Sequence, residues 1–321
     1  MKHDFKIIIY LVILFFTAQV IGLFLLNQSI DTVQTSDDGT ISVEYIEPIT
    51  GRPELEGQDS FTYIVIMIFV GTAILLALIK FRLFKVWKAW YFIAVASSLS
   101  IALSVLINET LSIIISLILT YMKIYKPNAI IHNMTEIFIY AGIAILISPM
   151  FDVFWAVMLL VAISIYDVIA VWKSKHMVTL AKAQSDNKMF AGLLIPYQSS
   201  KKLPTIKKKI QKIDSIPKPS KNSPKIKLDL PKGFSDKAAK SAILGGGDIA
   251  FPLMFSGAVM THLVELGASP MMAYFKVLII AVTSSIALWF LFVKSQKGKF
   301  YPAMPFISLG CFAGYFIIIL I

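Results

Sequence analysis

The amino-acid sequence predicts an all-α polytopic membrane protein of nine transmembrane helices, with a short β-strand before the seventh. Three observations predict it. Of 321 residues, 57% are hydrophobic and only 15% are charged. The mean hydropathy is +0.76. Uncharged runs of about 20 residues recur along the chain, each long enough to cross about 30 Å of hydrocarbon at about 1.5 Å per helical residue. This composition excludes a soluble globule. The net charge of +11 reflects membrane topology rather than nucleic-acid binding, because the lysines fall between apolar runs with no aromatic or base-reading motif among them. One cysteine, Cys311, permits no intrachain disulfide and no Cys-based metal site.

The spans read as 6–27, 61–79, 89–107, 110–122, 129–147, 153–172, 241–260, 272–293 and 300–321. Lys2 and Lys6 precede the first run as in a signal peptide, but 24 uncharged residues from Ile7 to Ile30 exceed a typical signal and read as a retained anchor. The fourth span is the weakest, with 13 residues between Glu109 and Lys123. It fits a short tilted helix or half of a hairpin. Positive charge stays on the cytoplasmic side, and the connections alternate. The loop 28–60 has Arg52 against eight acids, the next carries Lys80, Arg82, Lys85 and Lys88, the third has no base, and the fourth has Lys123 and Lys126. This alternation supports a crossing fourth span and places the N-terminus and the long loop in the cytoplasm, with Ile321 outside.

Three regions follow. Residues 1–172 form an N-terminal transmembrane half of six spans, 173–240 a connecting loop, and 241–321 a C-terminal half of three. The loop holds 17 lysines against four acids, with six prolines, and reads as largely disordered. Its charge also suits anionic headgroups, at about 1 kcal/mol per basic residue near the surface. Within it, Lys225-Ile226-Lys227-Leu228-Asp229-Leu230 alternates charged and apolar residues, the period of a strand, although a linker also alternates by chance.

A carboxyl inside a bilayer is a functional candidate by default. Asp167 follows Tyr166 in the sixth span, Asp248 follows Gly245-Gly246-Gly247 in the seventh, and Glu136 lies in the fifth. Counting helical rise from Lys173 and Lys240 puts Asp167 about 9 Å and Asp248 about 12 Å from the cytoplasmic end. In consecutive antiparallel helices they face each other. Two facing carboxyls in low dielectric share one proton, as a peptidase requires, and need neither metal nor cofactor. Polarity alone leaves open a structural hydrogen bond or an ion-pathway group. Glu136 has no motif around it and reads as structural or water-lining. The glycines suit close helix packing or close approach of a substrate backbone, and Pro252 removes one backbone bond nearby.

Tyr166-Asp167 in one span, Gly245-Gly246-Gly247-Asp248 in the next and Pro302-Ala303-Met304-Pro305 opening the last resemble the presenilin and signal peptide peptidase family of intramembrane aspartyl proteases. The resemblance extends over essentially the whole chain. It implies that Asp167 and Asp248 are the catalytic pair and that Tyr166 supports the first. Gly245 and Gly247 are then the fixed glycines of Gly-x-Gly-Asp, and Gly246 fills the variable position. It further implies that Pro302, Ala303, Met304 and Pro305 hold extended substrate, with Met304 departing from the family's leucine. The expected partners are the lipid bilayer and transmembrane helices of substrate proteins. The charge pattern resembles the presenilin branch, which suits substrates with their N-terminus outside. A channel or ion-coupled transporter using the same carboxyls is the alternative from another class, and a prepilin or preflagellin peptidase the alternative within the same chemistry.

The resemblance gives the strand a use: Ile226, Leu228 and Leu230 present an edge to which unwound substrate pairs. Replacing Leu228 with proline is then expected to reduce cleavage in a reconstituted assay while leaving the fold intact, and unchanged cleavage removes that use.

Overall fold

Glycine, proline and short polar caps divide the apolar sequence into helices. The computed structural model describes residues 5–36, 40–48, 50–126, 128–174, 190–197, 240–295 and 301–321. Its elements run α1 (Phe5–Gln28), β1 (Ile30–Thr35), β2 (Ile41–Tyr45), α2 (Gly57–Lys80), α3 (Phe84–Ser104), α4 (Glu109–Tyr125), α5 (Ala129–Ile147), α6 (Val153–Val168), β3 (Gly192–Tyr197), β4 (Lys240–Gly245), α7 (Gly247–Glu265), α8 (Pro270–Lys294) and α9 (Met304–Leu320). Asn108, Asn128, Asp152 and Ser269 start α4, α5, α6 and α8, each side chain accepting an early helical N–H at 2.8–3.3 Å. One unit comprises Met1–Ile195 with Ala242–Ile321, and a second comprises Pro196–Ser241.

Seven helices are long and apolar enough to cross a membrane, while α4 and α9 have 17 residues each, about 25 Å of helix. The expected nine helices are thus present among the described residues, seven of them of full spanning length. α7 is the most enclosed, 61% of its most apolar window being buried, against 0% for α2. It packs on α1, α5, α6, α8 and α9, and its Phe255 meets Phe312 and Tyr315 of α9 edge-on at 6.0 and 6.1 Å. By contrast, α2 leans on α6, with Phe61 against Trp155 and Phe69 edge-on to Tyr166.

Two expectations need correction. The seventh span was expected to begin at 241, yet 240–245 is a strand and the helix starts at Gly247. Glycines cost a helix about 1 kcal/mol each, so the helix holding Asp248 does not propagate back beyond Gly247 through Gly246 and Gly245. The short Ser-Ala-Ile-Leu run before them pairs with β3 instead. Helical rise from Lys240 therefore does not measure the depth of Asp248. The first loop also holds an unforeseen antiparallel hairpin, β1–β2, with Val33 opposite Val43. Its period-two alternation and Asp38-Gly39 pair are hairpin signals. Tyr45 pins it to α7 through Thr261 at 2.5 Å, and burial pushes this phenol up to about 12, so it stays protonated. The expected strand at Ile226, Leu228 and Leu230, and most of the lysine-rich loop, lie outside the described residues.

Lys123, read from the sequence as a loop charge, is instead buried within α4. Its Nζ lies 2.5 Å from Glu136 Oε1 of α5 and also reaches Thr135 Oγ1 at 3.2 Å and His132 Nδ1 at 3.4 Å. Three partners satisfy the three ammonium donors. The short fourth helix is thereby fastened to the fifth, and Glu136 acquires a structural role. Glu136→Ala leaves the ammonium buried without a counter-charge, a change that costs about 3–5 kcal/mol. It should lower the apparent melting temperature in detergent well below wild type. The double variant Lys123→Met/Glu136→Met should recover most of that loss, and a single variant as stable as wild type would refute the pairing.

Candidate active site

The fold places each of the two candidate carboxyls beside a helix N-terminus, where backbone N–H groups lack intrahelical partners. Asp248 is in the first turn of α7, where a negative charge complements the helix dipole, and it also takes a hydrogen bond from the Gly245 backbone. Asp167 stands near the end of α6 and is only 4% exposed. Its Oδ2 accepts the Met304 N–H at 3.1 Å, with the Ala303 N–H also directed at it. These two donors exist because Pro302 and Pro305 start α9 there. Proline suits a first helical turn, and the N–H groups between the prolines are left free for the carboxylate.

The structure therefore brings Asp167 together with Ala303 and Met304 of the Pro-Ala-Met-Pro segment, whose Pro302 and Met304 are buried. α6 and α7 pack on each other, and the Asp167 and Asp248 carboxyls interact electrostatically. Ser164, one turn before Asp167, meets Ser308 of α9 at 2.9 Å. Just past Asp167, Ile169–Ser174 widens into a π-helical turn, a local irregularity often found at functional sites. The Tyr166 hydroxyl lies 3.3 Å from Thr72 Oγ1 of α2.

The three glycines differ. A Cβ on Gly245 would sit 3.1 Å from Asp248 Oδ2, one on Gly246 would sit 2.8 Å from the Tyr140 hydroxyl, and one on Gly247 would meet only Phe251 at 3.5 Å. Gly246, assigned from the family pattern to a variable position, has the tip of the Tyr140 side chain where a Cβ would stand. Gly247 is exposed, with room around it. Pro252 lies within α7 without ending it, and the fully buried Gln19 of α1 donates to the nearby Ile249 carbonyl at 3.0 Å.

Sequence reasoning missed the polar stripe on α5. His132, Glu136 and Tyr140 recur every fourth residue, with Asn133 beside them, on an otherwise apolar helix. That spacing places them on one face and was the available signal. Tyr140 donates to Glu136, so the stripe joins the Lys123 ion pair to the glycines before Asp248.

Two solved structures described as a presenilin family intramembrane aspartate protease are similar to this chain. The C222 form has a TM-score of 0.53 at 15% identity, covering 97% of this chain and 99% of that one. The P2 form has 0.54 at 16%, covering 97% and 96%. At such identity the likeness carries the fold. No curated protein matches the chain. The family model described as signal-peptide peptidase, presenilin aspartyl protease matches residues 41–321, from β2 through every later element to α9, and the chain belongs to that family.

Proposed function

We propose that this chain is an intramembrane aspartic endopeptidase that hydrolyses peptide bonds within transmembrane helices of other membrane proteins, with Asp167 and Asp248 as its catalytic pair. The observation that carries this reading is the meeting of two interacting carboxyls at two helix N-termini inside an apolar bundle. One carboxyl is ionised and takes a proton from water as the water oxygen attacks the scissile carbonyl carbon. The other is protonated and polarises the carbonyl oxygen. The tetrahedral intermediate then loses its C–N bond, the nitrogen leaving with a proton from the pair, so that water ends up divided between the new acid and amine. The carboxyls perform both proton transfers, with no cofactor.

Gly247 leaves open space beside Asp248 for a substrate backbone, and Pro302, Ala303, Met304 and Pro305 border it on the Asp167 side. Gly245 keeps the Asp248 carboxyl uncrowded, and Tyr166 holds α6 against α2. β4 runs directly into Gly245, so it is the strand nearest the carboxyls and the edge to which unwound substrate pairs. The loop charges orient the N-terminus and long loop to the cytoplasm and Ile321 outside. Lys126 still marks the loop after α4 although Lys123 is buried.

The test is cleavage of a reconstituted single-span substrate by wild type, Asp167→Ala and Asp248→Ala in matched micelles, with product masses recorded. Wild type should cut within the apolar span, and each substitution should reduce the rate by at least about 10²–10⁴-fold while the protein stays folded. Cutting that survives both substitutions refutes the assignment. A peptide-like hydroxyl transition-state mimic should bind tightly, whereas an ion-coupled transporter would bind it poorly.

A further inference from the structure

The α5 stripe and the strand pair meet in one arrangement. Gly192 and Leu194, two apart in β3, direct their backbone groups to the same edge. On that edge Glu136 Oε2 accepts the Gly192 N–H at 3.1 Å, and His132 Nε2 meets the Gly192 carbonyl at 2.8 Å. Asn133 accepts the Leu194 N–H at 2.9 Å and donates to the Leu194 carbonyl at 2.8 Å. Four backbone groups are thus met by three side chains of one helix. His132 with its proton on Nε2 satisfies both the Gly192 carbonyl and the Lys123 ammonium. Tyr91 of α3 holds the entry to the strand through the Phe190 carbonyl at 3.2 Å. One edge of β3 is therefore closed by side chains, and β3 pairs with β4.

Gly192 has φ +147°, a conformation that favours glycine, and a Cβ there would collide with the Leu244 carbonyl of β4. From the same carboxylate a second contact runs the other way: Glu136 accepts the Tyr140 hydroxyl, which lies against Gly246 between the end of β4 and Asp248. Glu136, held by Lys123, meets the start of β3 directly at Gly192 and reaches the glycines after β4 through Tyr140.

We infer that Lys123, Asn133, Glu136 and Tyr140 are positioning residues that fix the β3–β4 pair relative to Asp248 and so set which substrate bond is cut. The inference rests on the proteolytic reading. A substrate strand paired on β4 advances about 3.3 Å per residue, so a platform that shifts by one residue presents a different peptide bond to the carboxyls. Side chains that close the far edge of β3 hold that platform still. None of them touches the reacting atoms, so their loss acts on substrate register and KM before it acts on chemistry.

The experiment uses the full chain and a single-span substrate, with KM, kcat and product masses measured for wild type, Asn133→Ala and Tyr140→Phe. Asn133→Ala removes both bonds to Leu194 and leaves the Lys123–Glu136 pair intact. Tyr140→Phe removes one hydroxyl and keeps the ring. Asn133→Ala should raise KM about tenfold with a smaller change in kcat, and both variants should add products one or a few residues longer or shorter. Should Asn133→Ala melt below wild type, Tyr140→Phe decides. Wild-type product masses and KM in a stably folded variant overturn the inference. Failure of wild type to cut any substrate overturns the proteolytic reading and the inference with it, whereas uniform loss of kcat with an unaltered set of masses assigns the cluster a purely structural role.

Discussion

Two carboxyl groups have to be kept inside a bundle built to exclude water, and the rest of the structure answers that constraint. An unpaired charge at membrane depth costs several kcal/mol, so donors must come from the protein. Here they are backbone N–H groups at the start of α9 and at the end of β4 just before α7, fixed in direction and never themselves charged. Asp248 begins its own helix after three glycines, and Asp167 caps a different helix between two prolines. The motifs that look like separate sequence features are thus two solutions to one problem. Glycine ends the strand and frees backbone before α7, while proline frees backbone at the start of α9.

A second buried charge stands on the same side of the bundle. Lys123 and Glu136 are 4% and 1% exposed, and such a pair is weak evidence for stability because desolvation opposes the Coulombic gain. Its geometry indicates a different use. The carboxylate accepts from Lys123, Tyr140 and the Gly192 backbone, joining two helices and a strand through one residue, with Tyr140 in turn against Gly246. An apolar replacement could fill the volume but could not hold the strand.

The helical frame was legible because hydropathy and polar caps are local. The fifth span was expected at 129–147 and α5 spans Ala129–Ile147. The carboxyls and the Pro-Ala-Met-Pro segment were legible because ionisable groups and prolines are conspicuous in apolar sequence. What failed depended on partners distant in the chain. Residues 240–245 read as the start of a span because a short apolar run does not distinguish strand from helix, and only β3 decides it. Lys123 read as a loop charge because nothing local shows Glu136 waiting on the next helix.

On the proposed function, the strand pair resolves a difficulty inherent in cutting a membrane helix. Every backbone group of a transmembrane helix is bonded within the segment, so no carbonyl is available to attack until the helix opens, and an opened segment in hydrocarbon leaves its N–H and C=O groups without water. A strand edge beside the carboxyls supplies replacement partners while the substrate is extended. Such an edge invites misplaced pairing if both of its sides are available. In this chain β3 has one edge closed by Asn133, His132 and Glu136; on the proposed function that closure directs incoming backbone toward β4, the strand that leads through Gly245 to Asp248. Closing one edge therefore serves the same purpose as placing the carboxyls at helix starts: the backbone groups of Gly192 and Leu194 are met by α5 side chains, and on the proposed function extended substrate pairs on a single side.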